Sequence, residues 1–122
     1  MNVWWYSISR GQFSAAFDST PIYMAYSGKG TSRDRLEDVG LTGRGPIPPG
    51  LYRCLDPRDY PTLGHWAVPL KPHFTTQMYG RSGFYIHGDN GSADFSASRG
   101  CVILNLAARQ HIRGGDIFVV LP

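Results

Sequence analysis

Hydrophobic residues occupy every second position near the start of this 122-residue chain. From Val3 to Ser9, the apolar side chains of Trp4, Tyr6 and Ile8 share one face, the pattern of a half-buried strand. Phe13, Ala15 and Phe17 repeat the pattern after Arg10-Gly11-Gln12, which predicts a hairpin turning at Gly11. Ile22, Met24 and Tyr26 predict a third strand. From Ser27 to Gly50 the chain turns polar and mixes charge signs at Arg33, Asp34, Arg35, Glu37 and Asp38, which reads as a solvated loop. The run Gly45-Pro46-Ile47-Pro48-Pro49-Gly50 is rigid punctuation that delivers the chain into a strand at Leu51 to Leu55. Further strands are predicted at Trp66-Val68-Leu70, at Phe84 to His87 and at Asp116 to Leu121, the last rich in β-branched and aromatic residues. One helix is predicted, from about Leu106 to Ile112, with Asn105 as its N-cap and Gly114 near its end. The fold class is therefore mainly β, a β-sandwich or open barrel with one short helix.

Composition narrows the picture. The length suits one domain spanning residues 1–122. Fifteen Gly and nine Pro indicate many turns, which favours β architecture over a helix bundle. The net charge of +3 suits an anionic polymer as partner, but the basic residues form no stripe, so nucleic acid is not indicated. No stretch has the length of a membrane span. MNVWWYSISR lacks the basic start and apolar centre of a signal peptide, so action outside the cytoplasm would need another route of delivery. Two cysteines do not make a disulfide framework.

The candidate chemistry lies in Phe84-Tyr85-Ile86-His87-Gly88-Asp89-Asn90 and Ala97-Ser98-Arg99-Gly100-Cys101-Val102. A thiolate is the attacking species of a cysteine, and an imidazole nearby can take the proton and hold the pair as thiolate and imidazolium. His87 closes a predicted strand, and the loop to Cys101 is long enough to fold back and bring the two together. Gly100 removes a side chain beside the sulfur and would let backbone N–H groups face a developing oxyanion. Cys101 could also be an inert buried thiol, and Cys54, on the same strand face as Tyr52, is read as structural. A Cys54–Cys101 disulfide would block the nucleophile. Arg81 and Arg99 are each either solvated charges or forks for a substrate carboxylate. His65, His73 and His111 show no metal-ligand spacing, and neither a metal nor another cofactor is expected. Ser27-Gly28-Lys29-Gly30-Thr31 lacks the ending of a phosphate loop and is read as a turn.

Ser98-x-Gly100-Cys101 with an upstream Ile86-His87-Gly88 resembles the active-site signature of L,D-transpeptidase catalytic domains. Trp5-Tyr6-Ser7, Tyr26-Ser27-Gly28-Lys29-Gly30, the glycine-proline run through Leu51-Tyr52, Arg81-Ser82-Gly83-Phe84 and Ile86 to Asn90 are similar to the branch found among type VI secretion effectors. The chain departs from the standard signature in two ways. Arg99 stands where a second His is usual, and Ile103 where Arg or Asn is usual. The loop from His87 to Ser98 is also short.

The resemblance implies action on the tetrapeptide stems of peptidoglycan. Cys101 would attack the carbonyl of the L-centre of meso-diaminopimelate and expel the terminal D-alanine, and water or an amine would then resolve the acyl-enzyme. It implies His87 as general base, the Gly88 carbonyl as its orienting group, Gly100 and Cys101 as oxyanion donors, and Ser98 as the holder of the turn. It further implies an antibacterial effector made in the cytoplasm and acting in a target's periplasm, with an immunity protein and a secretion carrier as partners. Two other readings stand beside this one. A papain-like cell-wall amidase places its Cys before its His, so His111 would replace His87. A non-catalytic wall-binding module would keep the fold without the reaction.

Overall fold

A computed structural model describes residues 1–16, 22–89 and 98–122. The expected positions Phe17, Asn90 and Ala97 lie outside these. Among the described residues nine strands follow in chain order: β1 Val3–Ser7, β2 Gln12–Ala15, β3 Tyr23–Ser27, β4 Gly50–Cys54, β5 Arg58–Tyr60, β6 Gly64–Pro72, β7 Tyr85–His87, β8 Val102–Leu104 and β9 Ile117–Leu121. The α-helix α1, Leu106–Arg109, lies between β8 and β9. The strands are ordered β4-β9-β1-β2-β3-β8-β7-β6-β5, and a further pairing of β4 with β6 closes eight of them into a barrel. The long strand β6 makes this possible. Its Leu70–Pro72 end pairs with β4, its middle with β7, and its Gly64–Ala67 end with β5.

The period-2 reading of the N-terminus holds. Trp4, Tyr6 and Ile8 are buried, and Gly11 takes φ +61° in the turn that joins β1 to β2. Stacking of Trp4 on Phe13 at 5.4 Å and of Tyr6 on Phe118 at 6.4 Å fills the barrel around one apolar core. Asp116, 2% exposed, ties both ends of the chain together. Its carboxylate accepts from Asn2 N–H, Trp4 Nε1–H and Arg113 N–H at 2.9–3.0 Å.

Four expectations change. In β3 the inward residue is Ala25, and Met24 is 72% exposed. β5 carries no apolar alternation and was not foreseen. The helix stops at Arg109, although Asn105 caps it as expected by accepting from Ala108 N–H at 2.8 Å. The segment from Ser27 to Gly50 is not a solvated loop. It forms two single-turn 3-10 helices, Gly30–Ser32 and Leu36–Asp38, and buries Ser27, Gly28, Ser32, Val39 and Gly45 to Pro48. Its outer charges do face water, where Arg35 meets Glu37 at 3.0 Å.

Candidate active site

Two strands running in the same direction set the geometry. β7 and β8 are parallel, with Ile86 opposite Val102 and His87 opposite Ile103. Ile86, Val102 and Leu104 belong to the core, so alternation turns His87 and Ile103 to the other face. Cys101 immediately precedes β8 beside Tyr85, and the same alternation carried back one position would turn it to the face that carries His87. Tyr26 of β3 stands opposite Ile103 and completes the row.

The turn before Cys101 is held from beneath. Ser98 is fully buried, and its hydroxyl accepts from Gly28 N–H at 2.9 Å and Gly100 N–H at 3.1 Å while donating to the Cys101 carbonyl at 2.6 Å. Ser27, equally buried, donates to the Gly100 carbonyl at 3.0 Å and accepts from Ile47 N–H at 2.8 Å. The Ser-Gly turn and the glycine-proline run thus form the floor under the Cys101 turn. Gly100 takes φ +130°, and a Cβ there would collide with Arg81 Nη2 and lie 2.9 Å from Phe84 Cε1. Only glycine fits.

Arg81 is 6% exposed and turned inward. Nη1 donates to the Val39 and Pro46 carbonyls at 2.5 and 2.7 Å, and Nη2 to those of Gly45 and Arg99 at 2.8 and 3.4 Å. The guanidinium packs over Phe84, 5.0 Å from the ring centre. With both amino groups occupied by backbone oxygens, it has no open fork for a substrate. The Arg99 side chain is exposed, beside Gly100 and Cys101.

His87 is 5% exposed, and its Nδ1 lies 2.9 Å from the Gly88 carbonyl oxygen. A carbonyl can only accept, so Nδ1 carries the hydrogen and Nε2 is the bare, basic nitrogen. Burial is the main force holding the imidazole below its usual pKa. The nearby Arg109 guanidinium adds to it, while the Gly88 contact and Asp89 pull the other way. Burial also pushes the Cys101 thiol up to about 11, against the opposing influence of the Tyr85 N–H and the Arg81 charge. Its sulfur lies 3.9 Å from the Gly83 carbonyl, towards which it donates. Among the described residues no hydrogen bond joins the sulfur to His87. Burial thus favours the protonated thiol and the unprotonated imidazole, against the thiolate–imidazolium pair expected from the sequence.

The remaining candidates fall elsewhere. The Gly100 N–H points to Ser98 rather than outward, so it is not available to an oxyanion in this arrangement. Cys54 is buried in the core with a thiol pushed up to about 12, and both cysteines are free. His111 is exposed beyond the end of α1. The sequence showed Ser27 and Gly28 as a turn and as part of the resemblance, but not as holders of the Cys101 turn. Sequence reasoning missed Arg109, which nothing in the local pattern marks.

The family described as the Tlde1 domain, a type VI effector family, matches residues 21–114. Among solved structures, L,D-transpeptidase 1 of Mycobacterium tuberculosis is 18% identical with a TM-score of 0.59, over 99% of this chain and 59% of that one. An L,D-transpeptidase from Xylanimonas cellulosilytica is 20% identical with a TM-score of 0.56, over 98% of this chain and 59% of that one. One from Mycobacterium smegmatis is 16% identical with a TM-score of 0.57, over 99% and 58%. The chain thus spans about three fifths of the length of these structures, and at such identities the likeness shows the fold. No curated protein matches the chain by sequence.

Proposed function

The chain belongs to the Tlde1 domain family, and from that premise we propose that it is a cysteine-nucleophile enzyme acting on the stem peptides of peptidoglycan. The observation that carries the proposal is the placing of Cys101 and His87 on one face of the parallel β7–β8 pair, with Nδ1 fixed by Gly88 and Nε2 left basic.

The thiol gives its proton to His87 Nε2 as the sulfur attacks the carbonyl carbon at the L-centre of meso-diaminopimelate. The C–N bond to the terminal D-alanine breaks, the imidazolium returns its proton to the leaving amine, and a thioester remains on Cys101. Water then attacks the same carbon to complete a carboxypeptidase reaction, or an amine does so to complete a transpeptidation or an exchange. In either case the C–S bond breaks, and the proton removed from the attacking group passes through His87 back to sulfur. The Cys101 N–H serves the oxyanion, and the Gly100 N–H holds the turn through Ser98. Arg99, exposed beside the nucleophile, receives a carboxylate of the stem. Arg81 acts on substrate only indirectly, by setting the Cys101 turn and lending positive potential to the thiolate.

The type VI family supports a role as an antibacterial effector acting in the periplasm of a target cell, with an immunity protein and a secretion carrier as partners. Mass spectrometry of muropeptides after incubation with murein sacculi, with and without a free D-amino acid, tests the reaction. Loss of terminal D-alanine is expected from the wild type and not from folded Cys101→Ala or His87→Ala. Retained loss in Cys101→Ala would remove the nucleophile from the proposal. Export of the chain to the periplasm should inhibit growth, and equal toxicity without export would contradict the site of action. The burial that raises the pKa of the Cys101 thiol also supports a second reading, a wall-binding module without catalysis, for which sacculus binding would survive Cys101→Ala with no product from the wild type.

A further inference from the structure

We propose that Arg109 is a positioning residue for His87: its guanidinium, caged by backbone carbonyls and set against Gly88, braces the strand end that carries the imidazole and presents a positive charge to it. This rests on the reading of His87 as the base, and goes beyond it.

An arginine in the last turn of a short helix is ordinarily solvated, yet Arg109 is 5% exposed. Nε donates to the Trp66 carbonyl at 3.2 Å, Nη2 to that of His65 at 2.9 Å, and Nη1 to that of Leu104. Trp66 answers by donating its Nε1–H to the Arg109 carbonyl at 2.9 Å. One side chain therefore links α1 to β6 and to the end of β8. Among the described residues no carboxylate pairs with it. A buried cation is costly to desolvate even when hydrogen-bonded, and an apolar residue of similar volume would serve packing alone at less cost. Simple packing does not explain the cation.

Its position does. A Cβ on Gly88 would lie 2.9 Å from Nη1 and 3.3 Å from Nη2, so the guanidinium lies directly against that glycine. The Gly88 carbonyl is the group that accepts from His87 Nδ1–H and so fixes which nitrogen is the base. Among the described residues, the charged and titratable groups around the imidazole are few. Arg109 faces it from α1, Asp89 follows it in the same chain segment, Cys101 shares its face from the turn before β8, and Tyr26 of β3 reaches it through Asp89 at 3.0 Å. Of these, only Arg109 is a cation. Beyond burial, it opposes protonation of the imidazole, which Asp89 favours. A base held neutral stays competent in mildly acidic surroundings. The imidazolium formed during attack is then a stronger acid towards the leaving amine.

The test is the NMR titration of His87 together with kcat and KM across pH for Arg109→Met, Arg109→Lys and Gly88→Ala. Arg109→Met should move the His87 titration up by about half to one pH unit, the scale of a single nearby charge, and carry the acid limb of kcat/KM with it. It should also lower kcat about tenfold with KM little changed, because a misplaced catalytic group costs rate rather than binding. Arg109→Lys should restore the titration but not kcat, since an ammonium keeps the charge and cannot span three carbonyls. Gly88→Ala, which pushes against an intact charge, should behave like Arg109→Lys. A folded Arg109→Met with the wild-type titration and kcat overturns the proposal. If Arg109→Met does not fold, Arg109→Lys decides, and wild-type kcat in that variant overturns it. The titration needs no substrate, so it reads the proposal even if murein peptides are not turned over.

Discussion

Ser98→Ala removes one oxygen and leaves three backbone groups without their partner. The hydroxyl accepts from Gly28 N–H and Gly100 N–H and donates to the Cys101 carbonyl, in a site with no exposed surface. A buried donor stripped of its acceptor costs about 1–3 kcal/mol, and an ordinary hydrogen bond contributes about 0.5–1.5 kcal/mol. Water can enter beside half-buried Cys101 and relieve part of this, so we take a total of about 2–4 kcal/mol, towards the low end of the sum. Domains of this kind hold about 5–15 kcal/mol of stability, so the variant still folds. At about 4 °C per kcal/mol for a chain of this size, the melting temperature should fall by roughly 8–16 °C.

The same change frees the turn that aims the sulfur. A displacement of about 1 Å at a reacting atom costs on the order of a hundredfold in rate. Turnover of a synthetic tetrapeptide by Ser98→Ala should therefore drop about that much, measured well below its melting temperature. Thermal melting followed by circular dichroism, paired with this kinetic assay, is decisive. A melting point within about 2 °C of the wild type, with undiminished turnover, would mean that Ser98 does not carry the turn and that the reasoning from its three partners is wrong.

Gly100→Ala should cost about 3–5 kcal/mol in urea unfolding, combining a backbone conformation reserved for glycine with a collision against a guanidinium that four carbonyls hold in place. Alkylation of Cys101 should show a midpoint near 11 that His87→Ala leaves in place while abolishing turnover, whereas a wild-type midpoint below about 8.5 would restore the thiolate–imidazolium pair. Both thiols are held protonated by burial, at about 11 and about 12, so the folded state binds more protons than the unfolded state above pH of about 9. The melting temperature should therefore fall as pH rises through that window, less steeply in Cys101→Ala. Arg99→Ala should lower kcat/KM on a tetrapeptide by roughly tenfold to a hundredfold with the alkylation profile unchanged, and Arg99→Lys should restore part of it. Wild-type kinetics would leave Arg99 no role in recognition.

What could be read from the chain alone follows from how local the cause is. The strands β1, β4 and β9 show their period because one face of each is packed and the other wet. Tyr6, Tyr52 and Phe118 are buried between exposed Trp5, Leu51 and half-exposed Val119. The exposed strand β5 has no such contrast and leaves no trace. The burial of Ser27 to Gly50 was illegible for a different reason. Its polar groups are satisfied by Gly100, Ser98 and Arg81, all distant in sequence, and a polar segment whose partners lie far away looks locally like one that faces water. The Cys101 and His87 segments were visible as motifs. The shifts of their pKa values were not, because these depend on burial that only the closed barrel supplies.

The two buried arginines near these segments act on the same proton in opposite directions. Arg81, set against Gly100, favours the thiolate of Cys101, and Arg109, set against Gly88, disfavours the imidazolium of His87. Both are held by carbonyls of the backbone, so neither can swing away and each lends a fixed positive potential. If only Arg81 were present, the pair would drift towards the charge-separated form, and in the proposed reaction His87 would be a weaker acid towards the leaving amine. If only Arg109 were present, the thiol would be harder still to ionise. Burial keeps the proton on sulfur, Arg81 eases its removal, and Arg109 would make it easy for His87 to pass on in the proposed reaction. Such an arrangement suits an acyl transfer in which one imidazole must first accept a proton and then give it back.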